Sequence, residues 1–165
     1  MLVTSKVSLW YELLIMATHA SRYTDKTGKE FENFCQHLFE IAGYNVEEQV
    51  CIGTRPTYGK HYVDLEVFVQ EFDIQYLISL KYQDVAGTAE EKIPYEQMCL
   101  QAACEEYGYR KAYIVLAGPG WKHDNSYRDG VFDKWMSTPD VSVLNFDEFL
   151  NEFDLLNKYN EMVAP

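Results

Sequence analysis

Two strand-like runs stand three residues apart near the middle of the chain. The first, YVDLEVFVQ at 62–70, sets Val63, Leu65, Val67 and Val69 against Asp64, Glu66 and Phe68. Alternation with period two puts one set of side chains on each face of a strand. The second, IQYLISLKY at 74–82, carries Ile78, Leu80 and Tyr82 on one face and Ser79 and Lys81 on the other, with Gln83 next in that series. A link of residues 71–73 predicts that the two runs pair as an antiparallel hairpin. A sheet is thereby required, and the remaining segments must cover it.

Those segments alternate in type. TGKEFENFCQHLFEIAG at 27–43 places Phe31, Phe34, Cys35, Leu38, Phe39 and Ile41 near a 3.6-residue period, with Thr27 and Glu30 at capping-box spacing and Gly43 at the helix end. Residues 6–18 read as a further amphipathic helix of a soluble chain rather than a signal peptide, because Glu12 interrupts the apolar run. A weak strand is expected at 45–52, a helix at 88–107 that starts afresh at Pro94, strands at 111–118 and 141–146, and a terminal helix at 147–159. A meander followed by alternating helices and strands predicts an α/β fold, with a mixed central sheet flanked by helices on both faces. At 165 residues and 47% hydrophobic content, one domain with a real core is expected.

Charge limits the kinds of partner. The chain carries a net −12, and residues 129–165 hold eight acids against two bases, so nothing in it resembles a basic tail or arm for nucleic acid. Arg55, Lys60, His61 and Lys81 nevertheless cluster in the middle, which leaves room for a local basic groove. Cys35, Cys51, Cys99 and Cys104 form no zinc-ligand spacing and read as reduced, packed thiols of a cytoplasmic protein. No run approaches the length of a membrane span, and no membrane partner is expected.

The hairpin carries the chemistry. If its turn centres between residues 72 and 73, Asp64 and Lys81 come nearly opposite each other. A cross-strand ion pair is the plainer reading of that pair. The functional one is a hard-cation site, since Mg²⁺ takes one or two carboxylates with waters and phosphate oxygens, and a lysine beside it can orient water or offset developing charge.

The company these residues keep extends the functional reading. GYNVEEQVCIG, GKHYVDLEV, ISLKYQ and GTAEEKIPYE, in that order after a glutamate-bearing helix, resemble the PD-(D/E)XK nuclease superfamily. The resemblance covers about residues 27–118 and implies the restriction-endonuclease-like αβββαβ core, with a helical N-terminal extension and an acidic C-terminal αβα extension. It implies that Asp64 is the first motif acid and a metal ligand, with Val63 where the pattern often has proline. Lys81 is the motif lysine, Glu32 is the helix acid that many members add to the metal site, and Gln83 lies near the scissile phosphate. A solvated helix carboxylate and a strand-end amide bonding a loop are the plain alternatives for Glu32 and Gln83.

Ser79 departs from the pattern, because the usual acid two residues before the lysine is absent. Some branches that read Ser-x-Lys draw this acid from the next helix. Glu96 is the favoured supplier, because Pro94 at a helix start places it in the first turn. Glu90 is second, and Glu91 is a capping partner for Thr88; dipole-complementing acids are the alternative for all three. Arg55, Lys60 and His61 in the loop at 53–62 are candidate phosphate contacts, and Trp121 in the loop at 118–130 is a candidate base-stacking residue. The resemblance thus implies a Mg²⁺-dependent nuclease, with Mn²⁺ as a substitute ion, acting on DNA, double-stranded first, as a homodimer. A degenerate nuclease fold serving as a nucleic-acid-binding or protein-interaction module is the alternative, prompted by Ser79 and the acidic surface.

Overall fold

The structure is a computed structural model and describes residues 24–163; the helix expected at 6–18 lies outside them. Helix α1 runs Thr24–Ile41. Thr27 therefore falls within the helix rather than ahead of it. The other end is as the sequence suggests. Gly43, at φ 85, donates to the Glu40 carbonyl at 3.0 Å and Tyr44 N–H donates to the Phe39 carbonyl at 2.9 Å, which closes a Schellman motif.

Strands β1 (Asn45–Thr54), β2 (Lys60–Val69) and β3 (Ile74–Tyr82) follow as an antiparallel meander. Helix α2 (Ile93–Tyr107) then leads to β4 (Lys111–Ala117), which runs parallel to β3. A short helix α3 (Asp124–Arg128) precedes β5 (Val141–Asn145), parallel to β4. The sheet has five strands in the order β1-β2-β3-β4-β5.

The C-terminal segment is two helices, α4 (Phe146–Glu152) and α5 (Leu155–Val163), where the sequence reads as one. Asp154 in the left-handed region, φ 51, turns the chain so that Phe153 and Leu155 on either side of it are both buried. Asn145 and Glu148 form the capping box that starts α4.

Two cores result, one on each face of the sheet. Phe31, Leu38 and Phe39 of α1 meet Leu65, Ile78, Val115 and Phe149 on one side. Ile93 and Leu100 of α2 meet Val63, Leu77, Ile114 and Val143 on the other. Phe39 packs edge-on against both Phe149 and Phe153, with centroids 5.6 and 5.1 Å away. Each fully buried aromatic or aliphatic side chain of this kind contributes about 1.5–3 kcal/mol. Cys35, Cys99 and Cys104 are buried as expected, whereas Cys51 is exposed; all four are free.

Strand alternation holds through β3 and β4 but not through β2. Leu65 and Val67 face the α1 core, while Val63, expected on the same face, packs in the α2 core. The break falls at Asp64. Across from it, β1 loses its pairing at Gln49, a residue with φ 50 between the pairs Glu48–Leu65 and Val50–Val63.

Candidate active site

The β2–β3 ladder pairs Val69 with Ile74 and ends at Leu65 with Ile78. The hairpin therefore centres between residues 71 and 72, one place earlier than the sequence suggests. The cause is the link. Gln70–Phe72 form a 3-10 turn closed by Asp73 at φ 52, so the turn begins before residue 71. Continued in this register, Asp64 faces Ser79, not Lys81. The position across from the first motif acid is the one that lacks its own acid.

Past Ile78 the strands fork. In place of a backbone partner on β2, Leu80 N–H donates to Asp64 Oδ2 at 2.6 Å. The carboxylate thus satisfies a backbone donor that the fork would otherwise strand. Beyond this point β3 is carried by β4 alone, in register to Tyr82 with Ala117.

The structure gathers predicted residues into two groups. In the first, Gln49 Nε2 lies 3.1 Å from Glu32 Oε2 and 3.3 Å from Asp64 Oδ1, so one amide donor bridges a helix acid and a strand acid. Lys29 Nζ adds 3.4 Å and 3.1 Å contacts to Glu32 and Glu48. Burial, and next the charge of Asp64, raise the Glu32 pKa. Burial pushes the neighbouring Cys35 thiol well up, with the same two carboxylates adding to it.

The second group lies on the α2 face. Pro94 stands in the first turn of α2, and Glu96 follows in that turn, as its spacing from the proline predicts. Its carboxylate points back at the strand end: Ser79 Oγ donates to Glu96 Oε1 at 2.9 Å, and Lys81 Nζ is 3.9 Å from the same oxygen. The Glu96 side chain is 13% exposed and that of Lys81 34%, so the pair opens to solvent through the lysine. An acid from the helix thus stands beside Ser79, the arrangement expected if the missing strand acid is replaced.

Glu90 goes elsewhere. It is buried and accepts the Lys122 N–H at 2.5 Å. Glu91 is exposed, and the 3-10 turn Glu90–Lys92 is preceded at its cap position by Ala89, not Thr88, with no side-chain cap. Gln83 is buried with Nε2 on the Gly120 carbonyl at 2.9 Å, the loop-bonding alternative. That turn approaches so closely that a Cβ on Gly118, at φ 90, would meet Gln83 O at 2.5 Å. Trp121 donates Nε1–H to the Ala117 carbonyl at 2.8 Å and packs on the α2-side core, which ties the indole down. Lys60 is exposed and Arg55 half-buried. His61 is 1% exposed and does not reach solvent, so the structure withdraws it from the phosphate-contacting surface. Burial lowers its pKa, the Glu96 charge opposes that, and Arg55 and Lys81 reinforce it.

Sequence reasoning missed Gln49. The only sign of it is the interruption of alternation in NVEEQVCI, which becomes legible once the β1–β2 register sets Gln49 beside Asp64. Among the described residues no three His, Cys, Asp or Glu side chains converge as a ready metal cage. The donor set still fits a hard ion. Glu32 and Asp64 converge on a single amide nitrogen, and one or two carboxylates with waters suit Mg²⁺.

Among the described residues no helix is long and apolar enough to cross a membrane. No curated protein matches the sequence significantly. Among the solved structures that resemble it are two of low identity. One is a protein of unknown function, AF1548, with a TM-score of 0.48 and 12% identity over 71% of this chain and 57% of that one; this chain therefore spans little more than half of that protein. The other is the small subunit of the heterodimeric restriction endonuclease R.BspD6I, with a TM-score of 0.44 and 19% identity over 83% of this chain and 78% of that one. The family model of the PD-(D/E)XK nuclease superfamily domain matches residues 23–152, from α1 to the end of α4. This span takes in the fork, both groups of site residues and most of the chain, which belongs to the PD-(D/E)XK nuclease superfamily.

Proposed function

We propose that this chain is a divalent-metal-dependent endonuclease that hydrolyses phosphodiester bonds in DNA, double-stranded first. The observation that carries the reading is Glu96 set against Ser79 and Lys81 on the strand that forks from Asp64, while Asp64 itself shares the Gln49 amide with Glu32. Asp64 and Glu32 would hold Mg²⁺ or Mn²⁺, with Glu96 as the carboxylate that replaces the acid absent at position 79. Bound there, the ion would supply Lewis-acid polarisation of a phosphoryl oxygen and a more acidic water.

The chain's own side chains do the remaining work. Lys81 orients the attacking water and offsets negative charge as it develops on the phosphoryl group. Glu96 anchors the ammonium at the strand end, and Ser79 fixes Glu96. Arg55 and Lys60 contact the sugar-phosphate backbone and set the register of the substrate. A homodimer would present two such sites to two strands.

Calorimetric titration of Mg²⁺ and Mn²⁺ into the wild type and into Asp64→Asn tests the reading. Heat of binding in the wild type that is lost in the variant supports it. A wild type that binds neither ion points to a degenerate site and to the binding-module alternative.

A further inference from the structure

The β1–β2 hairpin turns through Arg55-Pro56-Thr57-Tyr58-Gly59. Tyr58 N–H donates to the Arg55 carbonyl at 2.8 Å, and Arg55 N–H donates to the Gly59 carbonyl at 2.7 Å. Tyr58 has φ 69. These bonds define a three-residue hairpin loop, a type I turn closed by a residue in the left-handed region. Proline suits the first loop position, where Pro56 stands, and glycine suits the last. Here a tyrosine fills the glycine position, one place before a glycine, and is 92% exposed. Among the described residues its ring meets no other ring and its hydroxyl makes no hydrogen bond, so no such contact among them offsets the strain.

The tip is nonetheless held firmly. Thr57 Oγ1 and Tyr95 OH lie 2.7 Å apart, and Thr54 N–H donates to Tyr107 OH at 3.3 Å. Both tyrosines belong to α2, and Tyr95 directly precedes Glu96. The Thr57–Tyr95 contact therefore fixes the hairpin tip against the helix turn that supplies Glu96, while Tyr107, at the other end of α2, holds the end of β1. From the tip, β2 runs from Lys60 to Asp64, on the order of 13 Å along the strand.

We propose that Tyr58 is a base-stacking residue, its ring packing on the π-face of a nucleic-acid base and so placing the strand relative to Lys81 and Glu96. The inference deepens the nuclease reading and rests on it. The chain's −12 charge weakens general attraction to phosphates, and stacking does not depend on charge. Arg55 and Lys60, on either side of the tip, are placed to hold the backbone of the strand whose base the ring takes.

The test is fluorescence anisotropy with a labelled oligonucleotide, as single strand and as duplex, and the full-length chain carrying Asp64→Asn. Tyr58→Gly and Tyr58→Ala should weaken binding about tenfold or more, while Tyr58→Phe stays within about twofold. Tyr58→Gly should also raise the thermal midpoint by about 2 °C, because it relieves the backbone. Opposite signs on binding and stability are what a structural role for the ring would not produce. The arm with the larger loss, single strand or duplex, identifies which form presents the base. Tyr58→Gly that binds and, with Asp64 restored, cuts like wild type overturns the inference and leaves the nuclease reading intact. Tyr58→Gly that loses thermal midpoint along with binding overturns it in favour of a folding role. A wild type that neither binds nor cuts DNA overturns both.

Discussion

Asp64→Asn separates the two things Asp64 does. One carboxylate oxygen accepts the Leu80 N–H at 2.6 Å, and the other lies with Glu32 on either side of the Gln49 amide. Asparagine keeps an accepting oxygen for Leu80 but gives up the charge. Two carboxylates roughly 5 Å apart repel by about 1–3 kcal/mol at effective dielectrics of roughly 80 to 20. Against that relief, the Leu80 bond loses its charged acceptor, which costs about 1 kcal/mol. The variant should therefore match or exceed wild-type stability at neutral pH, by between about 0 and 2 kcal/mol. The pH dependence follows Glu32, whose pKa is raised by burial and then by Asp64. A carboxyl with a folded pKa above its unfolded one favours the native state while it is protonated. That contribution is full below the unfolded pKa and is lost as pH rises through the folded pKa. Asp64→Asn removes the second cause, so its stability should fall less between about pH 4 and 8. Urea denaturation at both ends of that range reads the difference. Mg²⁺ should stabilise the wild type at the upper end by mass action, and the variant less. An Asp64→Asn chain destabilised by more than about 2 kcal/mol at every pH, with Mg²⁺ without effect on either protein, would refute the reasoning. Asp64 would then be only a wedge in the fork.

Two further outcomes follow from the same geometry. Glu96→Gln should lose about two orders of magnitude or more in metal-dependent cleavage, measured by initial rates, while Glu91→Gln loses little; loss in Glu90→Gln with Glu96→Gln fully active would transfer the replacement role to Glu90. If Arg55, Lys60 and neighbouring donors carry the contacts, the slope of log affinity against log salt in a filter-binding titration should be shallow, corresponding to about two to four phosphates; a much steeper slope would reveal a larger basic surface.

What the sequence disclosed was what depends on local pattern. β3 is read residue for residue at 74–82, and period two sets Ser79 and Lys81 on one face, the face that meets Glu96 of α2. Glu96 was legible because Pro94 marks a helix start, which fixes the first turn. What stayed hidden depends on backbone conformations with no residue signature. Asp73, Gln49, Tyr58 and Asp154 all take positive φ without being glycine. The first moved the hairpin register by one place and set Ser79 across from Asp64. The second broke the β1 ladder and brought an unforeseen amide between two acids. The last divided one expected helix into two. His61 and Gln83 illustrate a different limit. Both are polar residues in loop-like contexts, and only tertiary packing, that of the 118–120 turn for Gln83, decides that they are buried.

The central claim is that the β2–β3 fork is a metal-dependent phosphodiesterase site. Conversion of supercoiled plasmid to nicked or linear form tests it most directly, with Mg²⁺ or after chelation, for the wild type, Asp64→Ala and Lys81→Ala, each checked for folding by circular dichroism. The account predicts cleavage by the wild type in Mg²⁺, none after chelation, and none by either folded variant. Cleavage undiminished in both variants would contradict it.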